Sequence, residues 1–215
     1  MMKKCQMTEE HPLQNTWTFY YYERPASAED YLKSIHSIGS FNTCEQFWSF
    51  YSHMIRPDKL KTDMALQMFK EGYKAMWEDE AIRNGGQITI RLQKKLFPFV
   101  WEKLVLNMIG EQISQSIIGA VASSKQRGDS IELWIDFKSR DPTEKEAEKL
   151  DMIRTLIEKL NIAGKLRFEY TDFSQFKSEN PNAQKKSEFY MLDNGVVKRT
   201  EYINLKKPQT TPESQ

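Results

Sequence analysis

Three stretches of the chain repeat apolar residues with the period of an α-helix. They run from Thr43 to Met54, from Pro98 to Ile109, and onward from Asp141. In each stretch apolar residues recur three and four positions apart, which predicts one buried stripe. The stripe residues are Phe47, Phe50, Tyr51 and Met54, then Trp101, Leu104, Val105 and Met108, then Ala147, Leu150, Ile153, Ile157 and Leu160. The third helix has a clear start, because Asp141-Pro142-Thr143-Glu144 supplies an N-cap, a first-turn proline and a glutamate three residues after the cap.

Five further stretches have the pattern of β-strands. Thr89 and Arg91 alternate with apolar residues at 88, 90 and 92, which is the period of a half-buried antiparallel strand. The predicted strands are 17–22, 88–92, 117–124, 131–137 and 166–170. Together with the helices they predict an α+β domain, in which helices cover one face of an antiparallel sheet. The other face is then free for a ligand.

Composition fits one folded domain with polar ends. Of the 215 residues, 39% are hydrophobic and 28% are charged, as in soluble globular proteins. We expect a single domain over residues 11–205, between disordered tails at 1–10 and 206–215. A formal net charge of +1 excludes the broad positive field of a protein that coats long nucleic acid. A nucleic-acid ligand should therefore be small or held locally.

The cysteines and histidines do not form a metal-binding or catalytic pattern. Cys5 and Cys44 follow no secretory segment, so we expect free thiols in a reducing, cytoplasmic setting. No apolar run reaches membrane-spanning length. The three histidines show no metal-ligand spacing, and no phosphate-binding loop, nucleophile elbow or metalloprotease motif is present. We therefore expect a binding protein without a cofactor or metal, not an enzyme.

The dipeptide Trp77-Glu78 pairs a large aromatic ring with a carboxylate in an acidic segment. Such a ring stacks on a base, and the carboxylate accepts both donors of the guanine Watson–Crick edge, N1–H and the N2 amino group. A helix residue beside a solvated charge gives the same dipeptide and is the more common case. Taken alone, the dipeptide leaves both interpretations open.

Trp134 falls on the polar face of its predicted strand. Odd-numbered residues from 131 to 137 take the core positions, so Trp134 projects on the opposite face with Glu132 and Asp136. Either it contacts a ligand or a neighbouring loop covers it, and the pattern favours neither.

The segment before Trp134 predicts a tight hairpin with two cations. Gly128-Asp129 suits a two-residue turn, because glycine supplies the positive φ. In that register Arg127 faces Ser130, and Lys125 lies on the same face as Trp134. Basic groups beside an aromatic ring suit the phosphates of a stacked nucleotide.

Two predicted helices carry apolar side chains outside their stripes. Trp48 lies about 100° around the axis from its neighbour Phe47, in line with Cys44 one turn earlier. On the second helix Leu106 lies off the stripe beside Gly110. These residues suggest an outward patch for a protein partner. The alternative is a broader core, which for Trp48 alone is the more common explanation.

The order of these motifs resembles the eukaryotic translation initiation factor 4E family, whose members bind the messenger-RNA 5′ cap. The likeness runs from His11-Pro12 to about Tyr170. Its motifs are Phe47-Trp48-Ser49-Phe50-Tyr51, Met68-Phe69-Lys70-Glu71-Gly72, Met76-Trp77-Glu78-Asp79-Glu80, Asn84-Gly85-Gly86, Ile109-Gly110-Glu111 and Gly119-Ala120-Val121. It is similar above all to the divergent 4E-homologous class, often translational repressors. The resemblance implies a curved antiparallel sheet with three helices on its convex face and a cap-binding slot on its concave side.

The resemblance also implies a role for each matching position. Tyr31 and Trp77 would stack on 7-methylguanine, and Glu78 would accept its N1–H and N2–H. Trp134 would touch the N7 methyl group, and Lys125 and Arg127 would bind the phosphates. On the convex side, the residues expected to dock a Tyr-x-x-x-x-Leu-φ helix of an initiation scaffold or repressor are His11, Pro12, Cys44, Trp48, Leu106 and Gly110.

Three positions depart from the family pattern at the expected ligand site. Gln87 and Ser130 replace basic residues that contact phosphates, and Tyr31 replaces a stacking tryptophan. These departures imply a weaker affinity for the cap than in the main class. A second account is therefore a protein-interaction scaffold with little cap affinity.

Overall fold

The structure is a computed structural model that describes most of the chain. The described residues are 10–25, 32–76, 82, 84–126, 128–161, 167–176, 187–193 and 196–200. Four of the predicted site residues, Tyr31, Trp77, Glu78 and Arg127, lie outside these ranges.

The described residues form nine strands and three α-helices. The strands are β1 (Pro12–Glu23), β2 (Ile35–Thr43), β3 (Met64–Lys70), β4 (Gly86–Leu92), β5 (Ile117–Ser123), β6 (Asp129–Ile135), β7 (Arg167–Asp172), β8 (Glu188–Asp193) and β9 (Val196–Thr200). The helices are α1 (Cys44–Tyr51), α2 (Phe97–Ile109) and α3 (Pro142–Leu160). One sheet contains all nine strands in the order β2-β1-β3-β5-β6-β4-β7-β8-β9, with every neighbouring pair antiparallel. Of the helices described, none combines the length and apolar character needed to cross a membrane.

The three helices cover one face of the sheet. Leu66 and Met68 of β3 and Leu133 of β6 join the main core, together with the buried stripes of all three helices. The intervening residues of the same strands point the other way, because side chains alternate along a strand. Phe69 and Trp134 are on this opposite side, which we call the far face. The predicted α+β architecture is therefore confirmed.

Four strands were not predicted, for different physical reasons. In β3 the residues from 65 to 69 are all buried, because both faces of this central strand are covered, and the alternating pattern is lost. β2 is an edge strand of mixed polarity that pairs only with β1. β8 and β9 continue the sheet beyond the predicted strand at 166–170.

The buried stripe of α3 differs from the predicted one. Ala147 is exposed, and Lys149 is buried in its place. The Lys149 ammonium forms ion pairs with Glu188 and with Glu146, the latter at 2.6 Å, and lies 4.4 Å from the centre of the Tyr170 ring. A buried lysine needs such partners, and these offset the cost of turning it towards the sheet. Leu150 and Ile157 are consequently only half-buried, at the margin of the stripe.

We predict that Asp141→Ala lowers the free energy of unfolding by about 0.5–2 kcal/mol. The Asp141 carboxylate caps α3 by accepting hydrogen bonds from the backbone N–H groups of Thr143 (2.9 Å) and Glu144 (3.0 Å). Urea unfolding followed by circular dichroism measures the change. Thr143→Ala is the control, since it keeps the backbone N–H. Equal stability of Asp141→Ala and the unmodified protein would contradict the capping role.

Candidate functional site

A second apolar cluster lies on the far face of the sheet. Its members, here called the Trp134 cluster, are Ala65, Phe69, Ala75, Ile82, Ile118, Val121, Trp134 and Phe173. The centre of the Trp134 ring lies 4.8 Å from that of Phe173 and 5.7 Å from that of Phe69. The face predicted for Trp134 is therefore confirmed. Its ring is covered rather than projecting into solvent, with only 6% of the residue exposed.

A glycine allows this cluster to form. Gly119 of β5 pairs with Phe69 on one side and with Trp134 on the other. A Cβ atom at Gly119 would overlap the Phe69 ring. The missing side chain lets that ring lie across β5 and meet Trp134 edge to face, at an interplanar angle of 79°.

The segment that carries Trp77 and Glu78 starts and ends in the Trp134 cluster. Ala75 precedes the dipeptide by two residues and is 3% exposed, and Ile82 follows it and is 1% exposed. Both side chains pack in the cluster that contains Trp134. The described flanks of the dipeptide are thus held beside that ring.

Asn84 and Gly85 fix the end of this segment against β6. The Asn84 side-chain amide donates to the carbonyl oxygens of Phe137 (2.7 Å) and Ser139 (2.8 Å). At Gly85 the backbone passes so close to the Ile135 carbonyl oxygen that a Cβ atom would overlap it. The Asn-Gly-Gly motif therefore ties the end of the segment to the strand that bears Trp134.

A cleft of about 430 Å³ opens at the other end of the same strands. Its walls include Tyr22, Arg24, Asp63, Ala65, Ser123 and Lys125. Arg24 and Asp63 form an ion pair at 3.4 Å. Ala65 belongs both to the cleft wall and to the Trp134 cluster, so the two adjoin. Phe69, which contacts Trp134, lies four residues further along β3, about 13 Å from Ala65 along the strand. Within the described ranges, no three histidine, cysteine or acidic side chains are grouped to hold a metal ion.

The hairpin before Trp134 differs from the predicted one. The sequence predicts Arg127 opposite Ser130, whereas Ser123 occupies that place. The turn is closed by the Gly128 N–H, which donates to the Lys125 carbonyl oxygen at 3.0 Å, so the predicted two-residue turn at Gly128-Asp129 is wrong. The register shift is an even number of residues, and the side chains of β5 and β6 therefore keep their predicted faces.

The pairing of β5 with β3 explains the longer turn. Ser124 exchanges backbone hydrogen bonds with the start of β3: its N–H donates to the Met64 carbonyl oxygen, and its carbonyl oxygen accepts from the Asp63 N–H. These bonds hold Ser124 at the edge of the cleft, and the chain turns only after it.

Lys125 points over the far face from this turn. Its Nζ lies 2.9 Å from a carboxylate oxygen of Glu132, and half of its side chain is exposed. Ser130 is buried beside the same carboxylate, with its hydroxyl 3.4 Å from Glu132. The cation expected at a phosphate site is therefore present at the cleft, with an internal carboxylate as its partner.

On the helix side, Trp48 is the most prominent of the predicted partner residues. It is 47% exposed. The edges of its ring system rest against Phe47 and Tyr51, with ring centres at 5.0 Å and 5.9 Å. Trp48 is therefore outside the core, and the broader-core alternative is excluded for this residue, whereas the half-buried Leu106 packs against the main core.

The remaining predicted partner residues lie at two places on this side. His11 and Pro12 are exposed at the start of β1, and the Cys44 N–H donates to the His11 carbonyl oxygen at 2.9 Å. Cys44 and Leu106 are half-buried, and Gly110 is exposed where α2 ends. The residues around α1 are thus brought together directly, whereas Leu106 and Gly110 lie on α2.

Arg56 joins the outer surfaces of α1 and α2. Its guanidinium lies 4.4 Å from the centre of the Tyr51 ring and forms an ion pair with Glu102 at 2.9 Å. Glu102 precedes Leu106 by one helical turn. A continuous series of contacts therefore runs from Trp48 through Tyr51 and Arg56 to α2.

Two further exposed apolar residues were missed in the sequence. Phe99 of α2 is 68% exposed, and Ile55 is 54% exposed. Phe99 precedes Leu106 by seven residues and shares its side of the helix. The seven-residue spacing between Phe99 and Leu106 is the sequence signal that would have predicted Phe99 as part of this surface.

Glu45 holds the start of α1 against His11. One carboxylate oxygen accepts a hydrogen bond from the His11 backbone N–H at 3.0 Å, and the other lies 2.7 Å from Nδ1 of the His11 ring. Hydrogen bonding, chiefly from this side chain, lowers the pKa of Glu45 from 4.5 to about 2.

We expect an NMR titration of the Glu45 carboxyl group to give a pKa of about 2. Because the folded-state pKa lies below the unfolded one, the contribution of this contact to stability is present above pH 4.5 and is lost as the pH falls towards 2. His11→Ala should raise the pKa towards 4.5, and His53→Ala, at an unrelated exposed histidine, should leave it unchanged. An ordinary pKa for Glu45 in the unmodified protein would contradict the contact.

Known proteins are similar to this chain in sequence and in fold. A sequence model of the family described as eukaryotic initiation factor 4E matches residues 12–189. Eukaryotic translation initiation factor 4E-4 of Caenorhabditis elegans is 38% identical over 132 residues, which cover 59% of this chain and 62% of that protein. The chain spans less than two thirds of the length of the first curated relatives it matches.

Two solved structures are similar over most of the fold. A complex of C. elegans eIF4E-3 with the 4E-binding protein Mextli and a cap analog has a TM-score of 0.71 and 30% identity, covering 80% of this chain and 98% of that one. A complex of Ascaris suum eIF4E-3 with an m2,2,7G cap has a TM-score of 0.69 and 29% identity, covering 83% and 97%. The family match begins with β1 and reaches β8, and with this sheet and its three helices the chain belongs to the eukaryotic initiation factor 4E family.

Proposed function

We propose that this protein binds the 7-methylguanosine 5′ cap of messenger RNA on the far face of its sheet. On the helix side it docks scaffold or repressor proteins that carry a Tyr-x-x-x-x-Leu-φ helix. Through these two contacts it regulates translation initiation in the cytoplasm, as one binding domain over residues 11–205. The activity is recognition, and no bond is made or broken.

The observation that carries the proposal is the anchoring of the Trp77-Glu78 segment beside Trp134. Ala75 and Ile82 flank the dipeptide and pack in the Trp134 cluster. This supports the proposal, because the described flanks of the proposed stacking ring and guanine-reading carboxylate are held at the part of the sheet that carries Trp134. Lys125 adds a cation at the end of the same face.

Methylation at N7 gives guanine a delocalised positive charge that aromatic rings recognise. Stacking between Tyr31 and Trp77 supplies about 1–3 kcal/mol per ring for any base. The cation–π interaction adds about 0.5–2 kcal/mol for the methylated base alone. Glu78 then distinguishes guanine from adenine, because adenine presents an acceptor at N1, which a carboxylate repels.

The phosphates of the cap extend from the base towards Lys125 and Arg127. Phosphate contacts add affinity without base specificity. The Lys125 ammonium lies 2.9 Å from a carboxylate oxygen of Glu132. A phosphate must therefore replace or share this carboxylate partner, which reduces the net gain from the contact.

The helix side supplies a surface of the kind that an amphipathic helix binds. Trp48 is half exposed and rests on buried rings, so little side-chain entropy is lost when a partner covers it. Leu106 and Arg56 continue the surface towards α2. Fixed aromatic and arginine side chains of this kind are the residues that dominate protein interfaces.

A protein-interaction scaffold with little cap affinity is the second candidate. Its support is the paired state of Lys125 and the presence of Gln87, a neutral residue, directly across from Trp134 on β4. In that case the helix side would be the only functional surface. The two candidates differ in one measurable property, the affinity for 7-methyl-GTP.

We expect the protein to be retained on 7-methyl-GTP resin and released by free 7-methyl-GTP but not by GTP. Trp77→Ala should weaken binding about 5- to 150-fold, the equivalent of about 1–3 kcal/mol of base stacking. Glu78→Ala should weaken it by a similar factor, because hydrogen bonds to a charged group contribute about 1.5–3 kcal/mol. Fluorescence titration with 7-methyl-GTP measures both variants.

Trp48→Ala is the control for these two variants, since it removes an indole on the opposite side of the sheet. It should bind 7-methyl-GTP like the unmodified protein. Equal release from the resin by GTP and 7-methyl-GTP would argue against the aromatic sandwich. No retention at all, with unchanged circular dichroism, would favour the scaffold account.

We predict that Trp48→Ala weakens binding of a Tyr-x-x-x-x-Leu-φ peptide by at least about 2 kcal/mol, the size of an interface hot spot. Calorimetric titration measures this affinity. Val196→Ala is the matched control, because Val196 is a similarly exposed apolar residue (56%) on β9. Weakening of the cap complex instead of the peptide complex would show that the two faces have been assigned wrongly.

A further inference from the structure

Gln67 carries a buried acceptor that the fold does not use. The residue is 3% exposed, and its side-chain oxygen Oε1 is buried without a hydrogen-bond partner among the residues that the structure describes. An unpartnered buried acceptor costs free energy because it has lost its water, so a native fold keeps few of them. A bound ligand that donates a hydrogen bond to the Gln67 oxygen would offset this cost.

The position of Gln67 on the sheet agrees with a role in ligand binding. Ala65, Gln67 and Phe69 alternate along β3 onto the far face. Ala65 lines the cleft that ends at Lys125, and Phe69 contacts Trp134. Gln67 therefore lies between the two halves of the proposed site, about 7 Å along the strand from each.

The order of base, ribose and phosphates in a nucleotide then identifies the group that would donate to Gln67. With the base at Trp134 and the phosphates at Lys125, the ribose comes between them, near Gln67. Glu78 would take the N1–H and one N2–H of the base, the second N2–H stays on that edge of the base, and ionised phosphates have no proton to give. The donors left on this part of the ligand are the ribose 2′ and 3′ hydroxyl groups.

The indole of Trp134 provides a second unused group on the same face. Its Nε1–H is also buried, and no hydrogen-bond partner for it lies in the described part of the chain. As far as the structure describes the chain, Trp17 and Trp101 bury unpaired Nε1–H groups in the main core as well, so the acceptor of Gln67 carries the argument and the donor of Trp134 is compatible with it. A ribose has hydroxyl donors and oxygen acceptors, whereas an apolar ligand would satisfy neither.

We propose that the Gln67 side-chain oxygen accepts a hydrogen bond from a ribose hydroxyl of the cap nucleotide, so that the site reads the sugar as well as the base. This inference rests on the cap-binding function proposed above. It makes Gln67 a specificity residue, which distinguishes ribose from a sugar that lacks the hydroxyl.

The test compares three ligands on the full chain: 7-methyl-GTP and its 2′-deoxy and 3′-deoxy analogues. In the unmodified protein, one of the deoxy analogues should bind about 3- to 10-fold more weakly than 7-methyl-GTP, the effect expected for one neutral hydrogen bond. In Gln67→Met, which keeps the length of the side chain without the acceptor, all three ligands should bind equally. Thr89→Val, at a buried far-face position on β4, should keep the discrimination of the unmodified protein.

A stability measurement separates this role from a purely structural one. Gln67→Met removes an unsatisfied buried oxygen, so the free variant should unfold at a urea concentration equal to or higher than that of the unmodified protein while it loses the discrimination between sugars. A lower unfolding midpoint would indicate that Gln67 supports the fold and would overturn the inference.

The outcomes for the inference and for the proposed function are distinct. Binding of 7-methyl-GTP that ignores both deoxy substitutions would overturn the role of Gln67 alone. Discrimination that persists in Gln67→Met would do the same. Failure of the unmodified protein to bind 7-methyl-GTP at all would overturn the cap-binding function and this inference with it.

Discussion

The alternation of side chains along the central strands is the constraint on which both faces of this molecule depend. Leu66 and Leu133 face the helices, whereas Phe69 and Trp134, on the same two strands, face away from them. A one-residue insertion in either strand would exchange these sets and bring polar groups into the main core. The strands that hold the fold together therefore also position the residues of the candidate site on the far face.

The sequence predicted an element correctly where one face of that element is buried, because one-sided burial gives a periodic pattern of apolar residues. The stripe of α2 was predicted correctly because its four stripe residues are apolar and all are buried. The stripe of α3 was not, because Lys149 is buried against Glu188, which lies 39 residues further along the chain. An ion pair between residues so far apart in the sequence cannot be predicted from the apolar pattern of α3 alone. β3 was missed for the opposite reason: burial on both faces removes the alternation that identifies a strand.

The candidate site was predictable to the extent that it depends on the period of a strand. Trp134 was assigned to the correct face even though the hairpin before it was predicted with the wrong turn, because the error in register was even. Gln67 could not be found in the same way. Its proposed role rests on the burial of its oxygen and on the lack of a donor among the described residues, and both depend on elements distant in the sequence. The Trp77-Glu78 dipeptide could be assigned a role only through the family resemblance, because its composition alone also suits an ordinary helix.

The contact between Lys125 and Glu132 has a consequence for how the site responds to its surroundings. Nucleic-acid affinity usually falls steeply with salt concentration, because each phosphate neutralised by a lysine or arginine releases condensed counterions. At Lys125 the ammonium already has a fixed counterion within the protein, 2.9 Å away. A phosphate that takes its place exchanges one anion for another, and dissolved ions have little influence on that exchange. The far face would then hold its ligand with a shallower dependence on ionic strength than its number of cations implies.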